Sequence, residues 1–298
     1  MSTIQIGYHE RSVMAKNKIS IIYFSATDVT RSYAQVLKDE ILTMGWDVKC
    51  IDITSYGSRQ GKMLTKDDQN IIFGFPVYGD LAPCVINDWI CTLDGSGKKC
   101  AMFFTFGGRT SGFAHFHTKL LLDKAGFRVL FSAEFLGRHS FNQGGWSILE
   151  DRPDQADFEV ARDFALLATD RFSMPNPPAF HLQKPFGYGY AIKAKENKGK
   201  QTKRSLAHPT RVTEECIMCR LCEDECPTLA FDADTGLSDI ETCIECMRCV
   251  YICPEGVIHC DPKMKEDFQL FLDYFHLNDA MLNAKQSKII TESWQAAA

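Results

Sequence analysis

The chain has 298 residues, 45% of them hydrophobic and 24% charged, with a net charge of −5 at pH 7. That length accommodates two domains with a substantial core, and so small a charge does not point to a nucleic-acid partner. No apolar run approaches the ~20 residues that cross a bilayer, and the first twenty residues lack a signal peptide's apolar stretch; the expectation is a cytoplasmic protein without a membrane span.

Residues 1–17 carry no pattern and read as an N-terminal extension. Residues 18–173 then alternate strand and helix. Ile19–Phe24 is an apolar run suited to a strand buried on both faces, and Val29–Met44 repeats its apolar residues at helical spacing before Gly45 stops it. Further strands are predicted over Trp46–Ile53, Asn70–Pro76, Cys100–Phe106 and Arg128–Phe135, with helices over about 83–94, 111–125 and Asp154–Phe172. Such alternation predicts an α/β fold with a doubly wound, five-stranded parallel sheet. Residues 174–211 have linker composition, with three early prolines and eight bases against Glu196 alone. Residues 212–262 reverse that charge, with twelve acids against Arg220 and Arg248. Glu266–Trp294, within a C-terminal segment 263–298, reads as helical with an apolar face.

Eight of the thirteen cysteines carry the chemistry. Cys216, Cys219, Cys222 and Cys226 before Pro227 form C-x2-C-x2-C-x3-C-P, and Cys243, Cys246, Cys249 and Cys253 before Pro254 repeat it. Three thiolates two residues apart wrap three corners of a cubane, and the fourth cysteine of each run reaches the other cluster. The spacing therefore predicts two [4Fe–4S] clusters in a small α+β ferredoxin-like domain, one on Cys216, Cys219, Cys222 and Cys253, the other on Cys243, Cys246, Cys249 and Cys226. Zinc sites pair two C-x2-C units or add His, and disulfides belong to exported chains. Cys50, Cys84, Cys91, Cys100 and Cys260 fall outside the pattern and are expected to be buried small hydrophobes.

A second site is written in loops at one sheet edge. Ser25, Thr27 and Thr30 surround a helix start at Asp28–Val29, where free N–H groups favour an anion. Pro76-Val77-Tyr78-Gly79 follows the third strand and Phe106-Gly107-Gly108-Arg109 the fourth, at the edge where open α/β sheets bind ligands. A phosphate cradle, an aromatic ring and close-approach glycines around one cavity fit FMN.

On SATDVT at 25–30, PVYGDLAP at 76–83, FGGRTSG at 106–112, FLGRHSF at 135–141, RPDQADFEVARDF at 152–164 and the two cysteine runs, the chain resembles the flavodoxin–ferredoxin fusion proteins of the EFR type, found mainly in anaerobes. The resemblance implies sheet order 2-1-3-4-5, FMN phosphate on residues 25–30, and the isoalloxazine between the 76–83 and 106–112 loops. It also implies an electron-transport iron–sulfur flavoprotein whose partner is a ferredoxin or an anaerobic reductase. Asp28 departs from the glycine usual in such loops and is expected to face away from the phosphate. A flavin-dependent reductase acting directly on NAD(P)H or a small substrate is the alternative, with His115, His117 and His139 as proton donors to weigh; a redox sensor with structural clusters is the third reading. The 38-residue linker leaves both transfer within one chain and a homo-dimer open.

Overall fold

The computed structural model describes residues 17–61, 63–198, 207–212 and 215–291. The expected N-terminal extension (Asn17 apart), the lysine run at 199–206 and the end of the 266–294 segment lie outside them.

Five parallel strands, β1 (Lys18–Tyr23), β2 (Asp47–Asp52), β3 (Asn70–Pro76), β4 (Lys99–Phe106) and β5 (Arg128–Leu136), stand in the order 2-1-3-4-5. Helices α1 (Val29–Thr43), α2 (Cys84–Ile90), α3 (Ala114–Lys124) and α4 (Gln155–Ser173) connect or follow them. The interior strands are apolar throughout because both faces are covered. Along β3 and β4, Phe73, Phe75, Met102 and Phe104 face α2 and α3, while Ile72, Ala101 and Phe103 face α1 and α4. Gly74 is required by that packing, since a Cβ there would sit 2.1 Å from the Phe103 ring. Gly45 ends α1 in the left-handed region at φ 80°. Asp154 and Asp157 start α4 by each accepting the other's backbone N–H, both at 3.0 Å.

Beyond α4 the linker composition hides ordered structure. Phe180 is buried in the core beside α2 and α3, and α5 (Tyr188–Lys198) lays Tyr188 against Phe113 and Phe116. The cysteine-rich module follows: β6 (Thr210–Arg211), α6 (Leu221–Asp224), the hairpin β7 (Phe231–Asp232) and β8 (Leu237–Ser238), α7 (Arg248–Ile252), and β9 (Ile258–His259) paired with β6.

The C-terminal segment departs from the continuous helix its apolar residues suggest. It divides into α8 (Met264–Tyr274), α9 (Asp279–Asn283) and the strand β10 (Lys288–Ile290). His276, at φ 52°, breaks the first helix, and the Asn278 side chain accepts from Met281 N–H to start the second. β10 then pairs antiparallel with β5, a sixth strand covering an edge that would otherwise be open. Ser287 anchors it, donating to Asp157 at 2.5 Å and accepting from Leu136 N–H at 2.9 Å. Lys288 adds an ion pair to Glu134 at 3.0 Å. Ser287→Ala strands a buried N–H and weakens a buried carboxylate's shell, so a loss of about 1–3 kcal/mol is expected in urea unfolding. An unchanged midpoint would mean that the tail is not docked in solution.

Candidate redox site at the seam between the two modules

The three loops named from sequence converge. Ser25, Thr27, Val29 and Thr30, Pro76 to Gly79, and Phe106, Gly107 and Arg109 line one cavity of about 690 Å³, in the range of small-molecule sites. Two expected members do not line it. Gly108 lies with its α-carbon towards Leu149 and Leu282, and Asp28 turns to the cysteine-rich module.

The 25–30 loop has features that suit an anion. Residues 26–30 make no hydrogen bond through their N–H groups within the described chain. The Ser25 hydroxyl accepts from Arg31 N–H at 3.0 Å and retains its own proton to donate; Thr30 shares a 2.7 Å bond with Thr105. Arg138, which sequence reasoning leaves without a role, also lines the cavity, and its buried Nε lacks a partner. Its position among FLGRHSF residues carries no periodic or motif signal for that role.

Asp28 occupies the left-handed region at φ 61°. Its carboxylate accepts from Tyr251 Oη–H at 3.1 Å and stands 3.6 Å from Arg31 and 3.8 Å from Arg248. Held from across the seam, that charge is drawn away from the cavity. Asp28→Gly relieves about 1 kcal/mol of backbone strain and removes no cavity contact. Flavin affinity, followed by fluorescence quenching, is expected to hold or tighten; looser binding would place Asp28 in the cradle.

One end of the cavity is apolar and covered. Trp146 is buried, donates its indole N–H to Met264 O at 2.9 Å, and packs on Phe271 at 4.7 Å between ring centres. Phe271 and Phe275 of the C-terminal segment form part of the cavity wall, and Arg109, paired with Asp80, lies 4.4 Å above the Phe275 ring. His139 opens partly on the cavity yet is crowded on its other sides. Burial, then the Arg109 charge, lower its pKa to about 4, and its Nδ1 accepts from Phe141 N–H. It is therefore a neutral imidazole at pH 7 with its proton on Nε2. The other histidines stand elsewhere: His115 is buried against Ser132 at 2.6 Å, and His117 bonds Tyr188 at 2.7 Å.

Seven of the eight motif cysteines fall into two neighbourhoods. Cys222 has its pKa raised by burial and then by Cys219 and Cys253. Cys249 is raised by burial and then by Cys246, Cys243 and Cys226. Cys226, Cys243, Cys246 and Cys249 also line a common interior cavity. Both loops adopt the same conformation: Met218 and Arg220 in the first, and Glu245 and Met247 in the second, have φ between 54° and 62°. Four non-glycine residues in the left-handed region are a local strain that a metal-wrapping loop explains. Backbone N–H groups of Met218, Ala230 and Glu245 point at the sulfurs of Cys216, Cys226 and Cys243 at 3.2–3.4 Å, bonds that stabilise thiolate charge. Of the remaining cysteines only Cys100 and Cys260 are buried; Cys50, Cys84 and Cys91 are exposed, because the elements carrying them lie at the surface.

The two sites adjoin. Ile244 and Glu245, between two motif cysteines, form part of the same cavity's wall, and Cys246 packs into the core beside Tyr78. Tyr78 shows that proximity directly: although its ring opens on the cavity, burial and then Cys246 raise its hydroxyl pKa. The seam is closed by Arg248 reaching Ala26 O at 3.4 Å and by Tyr56 N–H donating to Cys226 O at 3.3 Å.

Residues 208–254 match the family model described as a 4Fe-4S dicluster domain. Ferredoxin-2 of Chlorobaculum tepidum is 37% identical over 61 residues, 18% of this chain and 95% of that protein; Ferredoxin-1 of the same organism is 41% identical over 55 residues, 16% and 89%. Among solved structures, an archaeal flavodoxin superposes at a TM-score of 0.40 with 14% identity, over 53% of this chain and 99% of its own. Oxidised flavodoxin 2 from Bacillus cereus gives 0.39 with 19% identity, over 51% and 98%. The flavodoxin-like assignment rests on the 2-1-3-4-5 strand order itself. Through its cysteine-rich part the chain belongs to the dicluster ferredoxins, an iron–sulfur module joined here behind a domain of flavodoxin-like fold.

Proposed function

We propose that the chain relays electrons one at a time between FMN in the 690 Å³ cavity and a redox protein partner, through two [4Fe–4S] clusters. The observation that carries this reading is the shared wall: residues between Cys243 and Cys246 line the cavity. The proximal cluster is assigned to Cys226, Cys243, Cys246 and Cys249, and the distal one to Cys216, Cys219, Cys222 and Cys253. Cys219 is exposed, which suits exchange with a docked partner. Bound FMN would supply conversion between two-electron and one-electron chemistry, which clusters alone lack.

The chain's own residues would do the rest. The amides of 26–30 and Arg138 bind the phosphate, Tyr78 and Gly107 flank the ring, and neutral His139 offers a donor N–H. Trp146, Phe271 and Phe275 exclude water. The domains follow as 18–173 for FMN and 212–262 for the clusters, with 263–290 as a cover over the ring. That cover supports the relay over a direct reductase, whose substrate must reach the flavin face.

Anaerobically purified protein should contain about eight irons and one FMN, the content of two cubanes and one flavin site. In stopped-flow mixing, NAD(P)H should leave the flavin oxidised while a reduced ferredoxin bleaches it. Fast bleaching by NAD(P)H alone would sink the relay in favour of the reductase.

A further inference from the structure

Arg59 is 9% exposed at the seam between the modules. Its guanidinium donates to Ile53 O and Thr54 O at 2.8 Å, to Ser55 O at 2.9 Å, and across the seam to Pro227 O. Every acceptor is a neutral carbonyl. Among the described residues no carboxylate forms an ion pair with it. Of the other arginines near the cysteines, Arg248 pairs with Glu225 at 2.9 Å and exposed Arg220 with Asp234 at 2.7 Å, while Arg211, which donates to Ala233 O, is only half-buried and in reach of water.

A buried cation without a counter-charge is costly, and such groups persist where another charge completes them. Arginine keeps its proton even so. Pro227 adjoins Cys226, and after burial, which weakens Arg59's hold on its proton, the side chains acting on it are Tyr56, Cys226, Cys84 and Cys246. Two of those four are cysteines of the proximal set. Their thiolates, carrying a cluster, would be the missing negative charge.

We propose that Arg59 is the built-in counter-cation of the proximal cluster and raises its reduction potential. This rests on the cluster assignment above. On reduction the cluster takes up one electron from an external one-electron donor, no bond breaks, and one negative charge is added beside the guanidinium. A fixed positive charge stabilises the reduced form more than the oxidised form. Burial alone acts in the opposite direction, because it disfavours the more highly charged state. Arg59 therefore favours electrons collecting at the cluster that adjoins the flavin cavity, so that current runs inward from an exposed donor-facing cluster.

The test is an EPR-monitored dithionite titration of the full-length, cluster-loaded protein, with the distal signal assigned by Cys222→Ser. Arg59→Gln should lower the proximal cluster's electron-uptake constant at least tenfold, about 59 mV for one electron, and leave the distal constant within about threefold. Arg59→Lys, which keeps the charge, should stay within about threefold of wild type at both. An unmoved proximal signal, an equal shift in both clusters, or a Lys variant as low as the Gln variant overturns the proposal. Should Arg59→Gln fail to load iron, Ser55→Asp decides, since it keeps the carbonyl clamp and supplies the counter-charge: the proximal constant falls, or the proposal does. Wild-type protein without two cluster signals would instead sink the cluster assignment itself.

Discussion

Cys249→Ser is expected to remove about half of the iron, roughly four of eight atoms, and to leave one cluster signal. Cys249 stands among Cys246, Cys243 and Cys226, and burial together with those neighbours holds its thiol protonated while metal is absent. Metal must displace that proton, so loading couples ligand ionisation to folding of the loop. Serine presents an alcohol that does not ionise in such surroundings, and three thiolates leave one corner open. The other set keeps all four of its sulfurs. The left-handed residues Glu245 and Met247 then lose the metal that offsets their strain, so the 243–249 loop is expected to gain amide hydrogen exchange while 216–222 does not. Ferrozine iron assay with EPR checks the first part. A full complement of iron would show that Cys249 holds no metal.

Trp146→Ala has the second largest expected effect. The indole is 3% exposed and joins His139, Phe141, Phe268 and Phe271. Truncating a buried tryptophan costs about 3–5 kcal/mol, and here Met264 O also loses its donor at the start of α8. The loss falls on the contact that holds α8 against the cavity, so α8 should detach before the central sheet unfolds. Flavin fluorescence is expected to rise as water enters, and the NAD(P)H reaction rate should rise with it. A variant with native fluorescence and lowered global stability would place Trp146 in the core without a covering role.

The sheet and the cysteine module were readable because their signals are local. Ile19–Phe24 and Cys100–Phe106 are apolar without interruption since both faces of the sheet are covered, and the cysteine runs encode a spacing that a cubane demands. Helix ends were less so. The predicted 83–94 helix stops at Ile90, because the tertiary packing of α2, not its propensity, sets its length. The continuous helix read into 266–294 fails at His276, where one left-handed residue carries no composition signal.

By itself, then, the sequence determined which residues could hold clusters and which loops meet at one sheet edge, because spacing and periodicity act over a few residues. The seam was decided by tertiary structure alone. Asp28 meets Tyr251 across 223 positions, Arg59 meets Pro227 across 168, and Ser287 meets Asp157 across 130. Single polar side chains have no period and no motif. Their roles depend on which buried partner the fold delivers, and only packing in three dimensions specifies that.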